Sequence, residues 1–188
     1  GAILAYASKK FAVDVDERVE SILDVLPGAN CGGCGFPGCG GLANAIVEGK
    51  AAVNACPVGG EICATKIGDI MGISSESEEK QVAKVLCKGN CKSAKDKYKY
   101  EGIQDCRSAS MLNSGPKDCR FGCLGFGTCK EYCKFDAISV IDGLAIIDEE
   151  KCVMCGKCIE VCPKSIIHIK PANKEVVVEC SSEDFGKA

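Results

Sequence analysis

Cys152, Cys155, Cys158 and Cys162 fall in a Cys-x2-Cys-x2-Cys-x3-Cys run, and Pro163 follows immediately. Three thiolates this close together can each take one corner of a cubane iron–sulfur cluster. The fourth, a helical turn further on, points away toward a second cluster. Pro163 ends that turn and brings no N–H that would need a partner. The plainer alternatives are a zinc knuckle or a pair of disulfides. Zinc sites, however, use two separated cysteine pairs rather than four cysteines in one run.

A second run, Cys119-x3-Cys123-x5-Cys129-x3-Cys133, departs from this spacing, and Lys134 stands where the proline would be. Gly122, Gly125 and Gly127 permit such a looped path, since glycine reaches backbone angles closed to other residues. One [4Fe-4S] cluster is assigned to Cys119, Cys123, Cys129 and Cys162, and another to Cys133, Cys152, Cys155 and Cys158. Cys31, Cys34, Cys39 and Cys56 offer a third set. Glycines 32, 33, 35 and 38 clear that loop of side chains, so successive N–H groups can face an anionic cluster. Zinc is the alternative there; the wide gap from Cys34 to Cys39 and the glycines favour the bulkier cubane. Cys87, Cys91 and Cys106, with Cys63 as a fourth donor, hold a further cluster or a zinc ion, or are buried free thiols. Cys180 has no neighbour at ligand spacing and is expected unpaired. His168, the only histidine, reads as a strand surface residue.

Seventeen cysteines in 188 residues imply either a disulfide-stapled secreted chain or a metal protein. The tight runs, the odd count and the absence of a complete secretory signal oppose disulfides. Reduced thiols free to bind iron fit better. There is no tryptophan and aromatics make up 5%, so conventional cores are small and bound metal would share their work. A net charge of −3, spread along the chain, gives no nucleic-acid signal. No nucleophile–base pair, dinucleotide-binding glycine loop or P-loop is visible.

The elements that must position these thiols are short. Gly1 to Ser8 is apolar and meets Lys9 and Lys10. It is far too short to span a bilayer, and fits either the tail of a membrane helix or an ordinary element start. Asp16 can cap a helix carrying Val19, Ile22, Leu23 and Leu26 on one face, ended by Pro27-Gly28. A short helix through Leu42, Ala45 and Ile46 follows. A third is expected from about Glu61 to Met71, with Ile62, Ile67, Ile70 and Met71 on one face. Residues 81–86 read as a strand, the lysine-rich stretch after Cys91 as a helix to about Tyr100, and Cys106 as the start of another short helix. Two segments repeat: each follows a cysteine with a strand, a tight turn (Asp142-Gly143; Pro171 to Lys174) and a second strand. The expected fold is α+β. It comprises an anchor stub over 1–11, a small helical cluster module over 12–73, a linker over 74–80, a cysteine-rich middle segment over 81–116, a two-cluster ferredoxin-like domain over 117–180, and a tail over 181–188.

Leu26-Pro-Gly-Ala-Asn-Cys31-Gly-Gly-Cys34-Gly-Phe-Pro-Gly-Cys39, with Cys56-Pro-Val-Gly-Gly60 after it, resembles the cluster-binding module of the B subunit of the Rnf complex. Asp105-Cys106-Arg107 and Gly122-Cys123-Leu124-Gly125 resemble the longer B subunits of anaerobic bacteria. The resemblance covers nearly the whole chain. It implies an electron-transfer subunit of a membrane-bound, ion-translocating ferredoxin:NAD oxidoreductase, with three [4Fe-4S] clusters and room for a fourth. It further implies reduced ferredoxin as donor, the remaining subunits of the complex as partners, Na+ or H+ as the pumped ion, and a place on the cytoplasmic face of the membrane. By the same resemblance, this chain would be a soluble fragment lacking the anchor and further C-terminal ferredoxin motifs. Two other readings compete: a zinc-stapled interaction module, and the iron–sulfur part of a corrinoid methyl-transfer system, whose module the N-terminal motif also resembles. The latter needs a large cobamide-binding domain, for which this chain has no room.

Overall fold

The computed structural model describes residues 16–74 and 79–184. The expected anchor stub at 1–11, residues 75–78 of the expected linker and residues 185–188 of the tail lie outside the described residues. The chain forms two compact units that divide between residues 77 and 78. Among the described residues no helix is long and apolar enough to cross a membrane.

The first unit is three helices. Helix α1 spans Glu17–Val25, and the Asp16 carboxylate caps it by accepting from the Arg18 N–H at 2.9 Å. Helix α2 spans Gly38–Val47 and α3 spans Gly60–Met71, where Gly72 in a left-handed conformation stops it. Val19, Ile22 and Leu26 pack with Leu42, Ile46 and Ile67 into one apolar core. Ile62, expected on the buried face of α3, is 75% exposed. The face that packs carries Cys63, Ala64, Ile67 and Gly68. Ile62 lies five residues before Ile67, well round the helix from that stripe.

The second unit contains β1 (Gln81–Val85), α4 (Cys106–Met111), α5 (Thr128–Glu131), β2 (Ile138–Ile141), β3 (Leu144–Ile147), α6 (Lys157–Val161) and β4 (Ile167–Pro171). Strands β2 and β3 form the expected hairpin, with Ile138 opposite Ile147 and Ile141 opposite Leu144. Asp142 and Gly143 both have positive φ, as a tight two-residue hairpin turn requires.

The second expected hairpin is not formed. Strand β4 pairs antiparallel with β1, from Gln81 opposite Pro171 to Val85 opposite Ile167. The stretch after Lys174 runs on without strand structure, and Val176 and Val178 are exposed. Strand β1 brings Val82, Ala83 and Val85, all buried, to the edge that the return strand would have taken. Burial on the sheet therefore decides the pairing over sequence proximity.

The lysine-rich helix expected after Cys91 is also absent; residues 92–100 are turns and irregular chain. The Asn90 carboxamide oxygen accepts from the N–H groups of Lys92 and Ser93 at 3.0 Å each. Lys97 N–H goes to Pro116 O, and Asp118 N–H to Lys95 O, each at 2.8 Å. These side-chain and cross-loop bonds take the backbone groups a helix would have used.

Candidate metal centres

In the first unit, Cys31, Cys34, Cys39 and Cys56 line one cavity, closed on one side by Leu42. Asn30 sets the loop that carries them. In a left-handed conformation (φ 44°), its carboxamide oxygen accepts from the Cys39 N–H at 2.8 Å, and its NH2 donates to Gly28 O at 3.1 Å. Backbone N–H groups point at the sulfurs: Gly33 to Cys31 Sγ at 3.5 Å and Gly59 to Cys56 Sγ at 3.4 Å. Cys63 lies close to Cys56 but does not line this cavity. Its thiol donates to Val25 O at 3.6 Å, and burial, with the Cys56 and Cys39 thiols nearby, pushes it up to about 11. It is a core residue with its proton in place.

The second unit holds two more rings of four. Cys133, Cys152, Cys155 and Cys158 line a cavity walled by Ala83, Phe135, Ile138 and Ile147. Gly156, at φ 78°, turns the chain into α6 and puts Cys158 in its first turn. The Ala83 N–H of β1 donates to Cys152 Sγ at 3.4 Å. Burial is the main cause that pushes Cys158 up to about 12, with Cys152 and Cys155 adding to it.

The other ring joins Cys106, Cys123, Cys129 and Cys162, against Val85, Ile166 and Ile167. Cys162 thus parts from Cys158, four residues before it, and faces a different cavity. The structure places Cys106 here, where spacing alone puts Cys119. The reason is a hydrogen-bond chain between two helix starts. Asp105 caps α4 by accepting from the Ser108 N–H at 2.8 Å. It also accepts from the buried Thr128 hydroxyl at 2.7 Å, and that hydroxyl accepts from the Cys106 N–H at 2.8 Å. Cys106 is thereby fixed beside Cys129, the residue after Thr128. One signal is present in the sequence: Asp105 directly precedes Cys106 as a cap residue. The partner at Thr128 is not readable from it. Burial pushes Cys129 up to about 12, with Cys123 and Cys106 the nearest contributors, and raises Cys123 as well. Thiols in such surroundings bind iron as thiolates and release their protons on doing so.

Cys119 lines a separate open cleft together with Cys87 and Cys180. Cys91, exposed, lies beside the β2–β3 turn, where its N–H donates to Asp142 O at 2.8 Å. Cys63 is in the first unit, so the expected grouping of Cys63 with Cys87, Cys91 and Cys106 is not assembled within either unit. His168 is on β4, exposed, opposite Lys84.

Among the described residues, no three or more His, Cys, Asp or Glu side chains are grouped to hold a single metal ion. Three cavities are each lined by four cysteines, with apolar side chains beside them. A cubane takes one thiolate at each of four corners, and the donor sets fit it.

Such donor sets define the class of iron–sulfur-binding proteins. Residues 26–58 match the family described as "Putative Fe-S cluster", and residues 145–168 match the 4Fe-4S binding domain. The whole chain is 52% identical to the B subunit of the Na(+)-translocating ferredoxin:NAD(+) oxidoreductase complex of Acetobacterium woodii, spanning 56% of that protein's length. It is 42% identical along its whole length to the B subunit of the proton-translocating ferredoxin:NAD(+) oxidoreductase complex of Clostridium ljungdahlii, covering 67% of it. For the B subunit of the ion-translocating oxidoreductase complex of Methanosarcina acetivorans the figures are 42% identity and 71% coverage. The chain belongs to the B-subunit family of the ion-translocating oxidoreductase (Rnf) complex, and it carries a 4Fe-4S binding domain.

Proposed function

We propose that this chain takes electrons from reduced ferredoxin and passes them, through three [4Fe-4S] sites, into a membrane-bound ferredoxin:NAD oxidoreductase that moves Na+ or H+. The observation that carries this reading is the gathering of thiols far apart in sequence into rings of four. Cys133 joins Cys152, Cys155 and Cys158, while Cys162 joins Cys106, Cys123 and Cys129. That exchange between runs is the ligand pattern of a two-cluster ferredoxin, with the β1–β4 pair standing where a second hairpin would. Cys31, Cys34, Cys39 and Cys56 form the third set. Bound cubanes supply one-electron oxidation and reduction.

The chain's own residues hold and tune them. Gly33, Gly59 and Ala83 direct N–H groups at ligand sulfurs, which favours the more negative, reduced state and raises its potential. Val85, Ile166 and Ile167 keep water from the ring that contains Cys162. Lys164, beside Cys162, donates to Ser114 O at 2.5 Å and Arg120 O at 2.6 Å, and so holds a positive charge near that ring. The relatives' names differ in the ion moved, so either ion suits this reading. The site of action is the cytoplasmic face of the membrane, where soluble ferredoxin is met.

The test is transfer itself. The iron-loaded chain, mixed anaerobically with reduced ferredoxin and rapidly frozen, should show EPR signals of its own reduced clusters growing in proportion to the loss of the reduced-ferredoxin signal. A colourless zinc-loaded chain, or an iron-loaded one that ferredoxin leaves oxidised, would sink the proposal.

A further inference from the structure

Residues 78–188 contain twelve cysteines, of which the two rings described above take eight. The four left are Cys87, Cys91, Cys119 and Cys180. Three of them, from three distant parts of the chain, line one open cleft: Cys87 after β1, Cys119 in the loop before Cys123, and Cys180 near the end of the described chain. Two of the three, Cys87 and Cys180, are held there by separate contacts of their own.

The segment around Cys180 has no regular structure, yet it is pinned on both sides of that residue. Glu179 pairs with Lys88 at 2.7 Å and Lys84 at 3.4 Å, the Ser181 hydroxyl donates to Leu86 O at 3.1 Å, and Asp184 pairs with Arg120 at 2.9 Å. Cys87 Sγ accepts two backbone N–H groups, from Gly89 at 3.3 Å and Cys123 at 3.4 Å. Donors of this kind serve a ligand sulfur carrying negative charge.

Lys117 adds a buried positive charge, which also acts on the Cys123 thiol of the neighbouring ring. It is almost fully buried, and its Nζ bonds only carbonyls, Gly89 O at 2.7 Å and Gly143 O at 2.8 Å. No carboxylate of the described residues lies within ion-pair distance of it. A Cβ built on Gly143 would stand 3.9 Å from this Nζ and 2.6 Å from Cys91 Sγ, which puts the buried cation near Cys91. A buried cation needs a compensating negative charge, and a thiolate-bound cluster carries one.

We propose that Cys87, Cys119 and Cys180, the thiols that line this cleft, hold a fourth iron–sulfur cluster, completed by Cys91, which lies outside the cleft lining beside Gly143 and Lys117. This rests on the reading of the other thiol rings as cluster sites. It reassigns Cys119 and makes Cys180 a ligand, and it leaves Cys106 with its own ring.

Two measurements on the anaerobically reconstituted chain test it. Iron analysis should give sixteen irons per chain, on the basis of four per cubane, and twelve in Cys180→Ala. That residue is exposed and outside every helix and strand, so its replacement spares the fold. On the unaltered protein, iodoacetamide labelling read by mass spectrometry should leave Cys87, Cys91, Cys119 and Cys180 unmodified until iron is chelated. Twelve irons in both proteins, or Cys180 labelled as fast before chelation as after, would overturn the fourth site while leaving the other three standing. A parent chain without iron would overturn the underlying reading instead.

Discussion

The N–H of Cys106 donates to the Thr128 hydroxyl at 2.8 Å, so the first residue of one short helix is tied to the first residue of another. Each helix then presents a cysteine, Cys106 and Cys129, to the same cavity. A hydroxyl that is both donor and acceptor is required, because Asp105 must be answered as well.

Thr128→Val keeps the shape but removes both bonds. A buried N–H left unpaired costs about 1–3 kcal/mol, so the second unit should unfold at lower urea. The ring that contains Cys106 should also lose iron fastest when a chelator is added. Site-resolved iron loss, followed by Mössbauer spectroscopy against the parent, checks this; equal loss from all sites would show that the bond does not position a ligand.

Glu149 bridges the two strands of the β1–β4 pair from just beyond β3, accepting from Lys84 at 3.0 Å and pairing with Lys170 at 2.8 Å. Lys170 is buried, so Glu149→Gln leaves a buried cation with little beyond Lys174 O and should cost about 2 kcal/mol. The Lys170 bond, then the Lys84 bond, holds the Glu149 carboxyl below its ordinary 4.5. Its stabilisation is therefore present in full above about pH 4.5 and is lost as pH falls through the lower folded value. Urea midpoints at pH 7 and pH 4 should differ more in the parent than in the variant.

Gly125 sits at φ +80°, and a Cβ there would run into the Gly143 carbonyl. Backbone cannot give way as a flexible side chain can. Gly125→Ala combines left-handed strain with this clash and should destabilise the second unit by at least about 2 kcal/mol. Thermal unfolding measures it, and a change under about 0.5 kcal/mol, the usual range for a neutral surface substitution, would show that the loop can move aside.

Local chemistry is legible in the sequence and long-range competition is not. Asp16 as a cap and Asp142-Gly143 as a turn depend on the residues themselves and their immediate neighbours, and both elements form. The partner of β4 escapes a reading by proximity because Val82, Ala83 and Val85 lie some eighty residues away and offer more burial than the nearby valines. Cys106 escapes it for the same reason, since its position depends on Thr128. The helix expected after Cys91 loses its N–H groups to Asn90 and to the loop at Pro116, which helix-forming lysines do not reveal.

Cys162 and Cys158 belong to one run but face different cavities, and the two-cluster reading of the second unit stands or falls on that division. An anomalous-difference map at the iron edge, from crystals of iron-loaded Cys162→Ala, tests it most directly. Iron should be lost or depleted beside Cys106, Cys123 and Cys129, and retained beside Cys133, Cys152, Cys155 and Cys158. Iron retained at the first ring and lost from the second, or a parent map with peaks at the zinc edge alone, would contradict it.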